Sequence, residues 1–236
     1  MDTLTLDVNA VLMKIKNGGN FNSITRATRP YDLYNLMEVV EAVGKQRHPK
    51  FAIDDENRFV YENIVRWIMG DPRAQAINPE TGKPAPADLT KGVIICGSTG
   101  SGKSWAMEIL SQIAEIVKAS YKAGRDIRPL AWPCVRAFDI CNAFSKYGEV
   151  DVYYQRPVLC IQDLGSEPAE SIYMGNRVDV LRQLLEYRGD CNGKLTLITS
   201  NLTYDEMPVR YGDRVASRLF GMCNYYQIVG KDRRRV

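Results

Sequence analysis

One stretch limits what this chain can fold into more than any other. An apolar run, Val93 to Cys96, leads into Gly97-Ser98-Thr99-Gly100-Ser101-Gly102-Lys103-Ser104, and a helix-like pattern follows. This is a complete G-x-x-x-x-G-K-S with a strand before it and a helix after it. Glycines let successive backbone N–H groups curl round a phosphate without Cβ clashes, and the helix N-terminus adds free amides and its dipole. Lys103 is expected to reach the β- and γ-phosphates and Ser104 to sit on Mg²⁺, so the cofactors implied are ATP or ADP with Mg²⁺.

The rest of the composition sets looser bounds. At 236 residues, 45% apolar and 25% charged, the chain can bury one large core, or one medium and one small. A net charge of +3 permits nucleic-acid contact without arguing for it. Six cysteines show no C-x-x-C spacing, and Cys96, Cys134 and Cys160 sit in apolar segments, which reads as a reducing, cytoplasmic setting. With His48 the only histidine, a Cys/His zinc site is not expected. No apolar run approaches a membrane span, and no targeting segment is evident.

Along the chain, Leu4, Leu6 and Val8 alternate as a short strand or extended arm, and residues 17–20 are a turn. Leu33, Leu36, Met37, Val40 and Val43 predict a helix over 31–42 closed by Gly44. Lys45, Arg47, His48 and Lys50 read as a solvated basic loop. A second helix is expected from about Asp54 to Gly70, with Trp67 as a core anchor. Pro72, Pro79, Pro84 and Pro86 then mark the best boundary, dividing a mainly helical N-terminal adaptor region with its linker (1–90) from a nucleotide-binding domain (91–236).

After the phosphate loop a long helix is predicted to end near Gly124, followed by a strand within 130–138 and a helix over 139–147. Residues 149–157 read as a loop or short helix. Val158 to Ile161 is a fully apolar run suited to a buried parallel strand, 176–187 a helix, 194–199 a strand, 202–210 a loop, 213–220 a helix and 225–229 a last strand. Strand and helix alternate, so the fold class is α/β with a mostly parallel sheet. A basic tail runs from Lys231 through Arg233, Arg234 and Arg235.

A triphosphatase also needs an acid at a neighbouring strand end, and Asp163 is the candidate, for metal and water alike. Asn201 follows the strand at 194–199 and could hold water or sense the γ-phosphate. Arg214 and Arg218 lie four apart on one predicted helix face, either as charge-compensating groups or as surface decoration.

Together GSTGSGKS, VLCIQDLG, TSNL and YGDRVASRL give residues 90–232 a resemblance to the AAA+ ATPases of the bacterial replicative-helicase loader and insertion-sequence transposition-helper group. The resemblance implies a three-layer αβα P-loop NTPase sandwich of the ASCE type with strand order 5-1-4-3-2. It makes Gly97 to Ser104 the Walker A loop, Asn201 the sensor, Arg218 the finger given to an adjoining protomer, and Arg214 a second arginine. Gly230, Arg233 and Arg234 match the closing G-x-x-R-R, which offers a candidate cis arginine. One departure stands out. The group's Walker B strand ends in two acids, whereas this chain has Gln162 and then Asp163, with Glu167 a conceivable substitute. Nucleotide binding is therefore expected to be firm and turnover uncertain.

The leading functional reading is an ATP-dependent DNA-replication factor of helicase-loader type. It would self-associate through the ATPase interface and assemble on single-stranded DNA or against a replicative helicase. The alternatives are a transposition helper that acts on double-stranded DNA with a transposase, and a nucleotide-dependent interaction module without turnover.

Overall fold

The computed structural model describes residues 24–230 and 232–233. The Leu4–Val8 alternation, the turn at 17–20, and Lys231, Arg234 and Arg235 lie outside the described residues.

The described residues open with β1 (Ile24–Thr25) and then α1 (Leu33–Arg47), which Asp32 caps by accepting the Tyr34 and Asn35 amides. Contrary to expectation, α1 runs on through Gly44. A Cβ there would lie 2.2 Å from the Phe51 ring, so this glycine permits close packing rather than ending the helix. Helix α2 (Arg58–Ile68) starts later than Asp54, because the Asp54 carbonyl and carboxylate are used in a turn with Glu56, Asn57 and Arg58. Trp67 is buried at its end, edge-on to Trp132, with the indole N–H donating to the Lys91 carbonyl.

The proline-rich stretch is a hairpin of β2 (Gln75–Ile77) and β3 (Pro84–Pro86). Prolines fit there because β3 has a strand on one side only. β4 (Gly92–Cys96) leads into α3 (Lys103–Ile116), which stops well before Gly124: Lys118 takes φ +48°, and the expected last turns are instead a hairpin of β5 (Ser120–Ala123) and β6 (Asp126–Pro129). β7 (Cys134–Arg136), α4 (Ala137–Tyr147), α5 (Asp151–Gln155) and β8 (Val158–Leu164) follow.

Residues 171–178 are also a hairpin, β9 (Ser171–Tyr173) with β10 (Asn176–Val178), so the helix expected from Asn176 starts only at α6 (Val180–Asp190), where Asp179 accepts the Arg182 amide. After β11 (Leu195–Ser200), the expected loop contains α7 (Glu206–Tyr211), preceded by a turn in which Glu206 accepts from the Thr203 amide and hydroxyl. The described chain closes with α8 (Asp213–Met222) and β12 (Cys223–Gln227).

Five strands form one parallel sheet in the order β12-β4-β11-β8-β7. Numbered one to five along the chain, these strands give 5-1-4-3-2, and with helices on both faces this is the three-layer P-loop NTPase fold. Alternation divides the core: Val93 and Ile95 pack with α1, α2 and α3, whereas Ile94 and Cys96 pack with α4, α6, α7 and α8. The N-terminal helices thus share a continuous core with the sheet. Because the strands are parallel, the C-terminal ends of β4, β8 and β11 open on one edge, where α/β sheets bind ligands.

Candidate nucleotide site

At that edge the phosphate loop takes left-handed φ at Gly100 and Gly102, a conformation open to glycine at little cost. The loop turns directly into the first turn of α3. Lys103 is 5% exposed, and its ammonium donates to the carbonyls of Gly97 (2.8 Å) and Ser98 (2.7 Å) and to Asn201 Oδ1 (2.8 Å). That last bond joins the ends of β4 and β11. Thr99, Lys103 and Ser104 line a cleft of about 230 Å³ together with Asp163 and Asn201. Gly97, Ser98 and Ser101 shape the loop behind it: Gly97 donates to the Ser200 carbonyl and Ser101 to the Ser98 carbonyl.

The aim of Asp163 is set by a feature the sequence does not announce. Between Ile198 and Ser200 of β11, β8 carries an extra residue, and Asp163 has φ +56°. Such bulges re-aim side chains next to functional sites. The amide of Asp163 donates to Thr199 Oγ1 (3.0 Å), and its carbonyl accepts both the amide and the hydroxyl of Ser166 (3.1 and 2.6 Å). These bonds offset a backbone cost of about 1 kcal/mol or more.

Gln162 behaves differently. It is buried, and Nε2 donates to Glu108 Oε1 on α3 at 3.0 Å. Glu167 is not a substitute acid at the cleft. It is buried, accepts from the Gly165 amide (2.8 Å), Arg210 (2.8 Å) and the Tyr211 hydroxyl (2.6 Å), and ties the loop after Asp163 to α7. Burial and this carboxylate push the Tyr211 phenol far up, so it remains a donor.

Arg214 and Arg218 are not brought to the cleft. Both turn to α6, Arg214 to Glu186 (3.6 Å) and Arg218 to Asp190 in a two-pronged pair (2.7 and 3.1 Å). The Arg218 guanidinium holds the Asp190 carboxyl below its ordinary value. Arg218 borders a depression with Thr90, Lys91 and Lys194, residues that precede β4 and β11. It thus lies at the end of the sheet opposite the phosphate loop.

A second cavity, about 430 Å³, adjoins the loop and was missed from sequence. Phe51, Asp54, Glu56, Trp105 and Arg233 border it, and Trp105 borders the first cleft as well. Its signals were an aromatic directly after Lys103-Ser104 and Phe51 just after the basic cluster. His48 stacks on Trp105 at 4.7 Å, and Arg47 pairs with Glu108, so that cluster is partly spent within the chain. Arg233 spans the region: its amide donates to the Gly100 carbonyl (2.9 Å), Nε to the Ser101 carbonyl (3.2 Å), and its two terminal nitrogens to the Asp54 carboxylate (2.8 Å each).

Ser104 and Asp163 bring hard oxygen donors to one cleft, which suits Mg²⁺. Among the described residues no three or more His, Cys, Asp or Glu side chains gather as a metal cage.

No family model and no curated protein matches the sequence. Among solved structures, the chain is similar to the DnaC helicase loader at 21% identity, with a TM-score of 0.49, over 78% of this chain and 95% of that one. AMPPCP-bound DnaA from Aquifex aeolicus is similar at 16% identity and a TM-score of 0.47, over 76% of this chain and 48% of DnaA. NtrX from Brucella abortus in complex with ADP shows 11% identity and a TM-score of 0.36, over 95% and 48%.

Proposed function

We propose that this chain is an ATP-binding assembly protein of the AAA+ helicase-loader type, in which nucleotide at the cleft of one copy is contacted by Arg218 of a second copy. The observation that carries this reading is the split of the site. Lys103, Ser104, Asp163 and Asn201 line one cleft, whereas Arg218, the arginine that the family resemblance makes the finger, sits at the far end of the same sheet. A site divided in this way is completed by self-association, and ATP then links nucleotide state to assembly.

Within the cleft, Lys103 and the loop amides take the phosphates, Ser104 the metal, and Asp163 is the carboxylate placed to orient water. Asn201, already bonded to Lys103, is placed to register the terminal phosphate. The flanking cavity, with Trp105 and Phe51 as flat apolar surfaces, suits the base. Single-stranded DNA or a replicative helicase is the proposed assembly partner.

The test is nucleotide binding and phosphate release, with and without single-stranded DNA, across a range of protein concentrations. Lys103→Ala should abolish binding; unchanged binding sinks the reading. Arg218→Ala should leave binding by the monomer intact and remove the concentration-dependent part of turnover or assembly. Equal loss of both would refute its action on a second copy.

A further inference from the structure

Two of the six cysteines face each other across neighbouring strands. Cys134 on β7 is the register partner of Cys160 on β8, and both side chains lie on the sheet face that packs beneath α1, α2 and α3. We propose that Cys134 and Cys160 form a site of reversible oxidation, in which Cys134 reacts with a hydroperoxide and Cys160 then closes a disulfide onto it. The site is separate from the nucleotide cleft and does not depend on the reading given to it.

Hydrogen-bonded strands run about 4.7–4.9 Å apart. A disulfide bridges Cα atoms about 4.4–6.8 Å apart, so cysteines in register on one face need little more than rotation of their thiols. Here the two thiols are already hydrogen-bonded to each other. The other cysteines have no such neighbour in register. Cys96 is paired with Ser200 and Gln227, and Cys223 with Gly92, while Cys141 lies in α4 and Cys191 just after α6.

The pair is asymmetric. Cys160 is fully buried, and burial pushes its thiol well up, followed by the hydrogen bond with Cys134. It therefore keeps its proton and donates. Cys134 stands on the edge strand of the sheet and is partly exposed. The hydrogen bond from Cys160 lowers its thiol against the opposing effect of burial, and Gln162 and the Arg47 charge lower it further. A thiolate is the reactive form and must be reached by its oxidant, so Cys134 attacks and Cys160 resolves.

In the first step the Cys134 thiolate takes the terminal oxygen of the hydroperoxide. The O–O bond breaks, and the remaining alkoxide leaves as an alcohol with a proton from solvent. The Cys160 sulfur then attacks the sulfenic sulfur, the S–O bond breaks, and hydroxide leaves with the Cys160 proton as water. The two thiols together lose two electrons, which reduce the hydroperoxide to alcohol and water. A thiol reductant reverses the bond by exchange, so the disulfide is transient in a reducing setting.

The experiment treats the folded full chain with tert-butyl hydroperoxide, alkylates the remaining thiols and maps the peptides before and after dithiothreitol. Wild type should lose both thiols of the pair, show the Cys134 and Cys160 peptides linked, and recover both thiols with the reductant. Cys134→Ser should leave Cys160 reduced at the same dose. Cys160→Ala should stop at a sulfenic acid on Cys134, trapped by dimedone. The wild-type map decides even where the alanine variant does not fold. A linkage joining other cysteines, a Cys134 that stays reduced while the partly exposed Cys191 is oxidised, or an oxidised Cys134 beside a free Cys160 thiol overturns the proposal. Oxidation of Cys160 in Cys134→Ser as fast as in wild type overturns it as well.

Discussion

Gln162 and Asp163 are adjacent on β8 yet meet different surroundings, because a bulge and a left-handed φ turn the second toward the cleft while the first stays against α3. Four residues after Asp163, Glu167 shows what an acid does when it is enclosed. Its carboxylate takes the Arg210 guanidinium and the Tyr211 hydroxyl in a site with no exposed carboxylate surface. Glu167→Ala would leave both without their partner, and breaking a buried pair in this way costs about 3 kcal/mol. Chemical denaturation should show that loss. Nucleotide affinity, measured well below the transition, should change little, since Glu167 does not line the cleft. A large affinity loss in folded protein would place Glu167 at the site after all.

Gly44 and Gly221 make a matched pair at the level of the helix. In α1 a Cβ at Gly44 would press into the Phe51 ring at 2.2 Å, whereas at Gly221 in α8 there is nothing within 4 Å. Alanine is the better helix former at both places by about 0.5–1 kcal/mol. At Gly44 overpacking of about 1–3 kcal/mol outweighs that gain. Gly44→Ala should therefore lower the melting temperature and Gly221→Ala raise it slightly; the same sign for both would refute the packing account. Phe51 also borders the cavity beside Trp105, so displacing its ring should weaken nucleotide binding in Gly44→Ala alone.

Across the whole molecule, the phosphate loop is strapped from both ends of the described chain. Asp54, before α2, and Arg233, after β12, are 179 positions apart and meet over the loop. The hydrogen bond from Arg233 holds the Asp54 carboxyl below its ordinary value. A depressed folded value means the stabilisation is complete above the unfolded carboxyl's range, near about pH 4, and is lost as pH falls through the folded value. The gap in stability between wild type and Asp54→Asn should thus be flat at neutral pH and close on the acid side. Melting curves across pH would check it, and a gap that persists in strong acid would exclude this pair as its source. No helix among the described residues is long and apolar enough to cross a membrane.

Local pattern was sufficient for the phosphate loop, for the apolar runs that became β4, β8 and β11, and for the helices with long apolar stripes. Those signals repeat every two or every three to four residues and need no distant partner. The strand order came through the resemblance carried by four motifs, and the structure has it. The hairpins at β2–β3, β5–β6 and β9–β10 were not legible, because strands of three or four residues are too short to show a period. Only the tertiary structure put Glu108 on Gln162, Asp54 on Arg233 and Arg218 at the far end of the sheet from Lys103. Each depends on which surfaces the folded chain brings together, and residues 54 to 179 positions apart carry no mutual mark in the sequence. The sequence by itself determined that a phosphate can be held at Gly97–Ser104. Tertiary packing decided which acid faces that loop and that its candidate arginine points away from it.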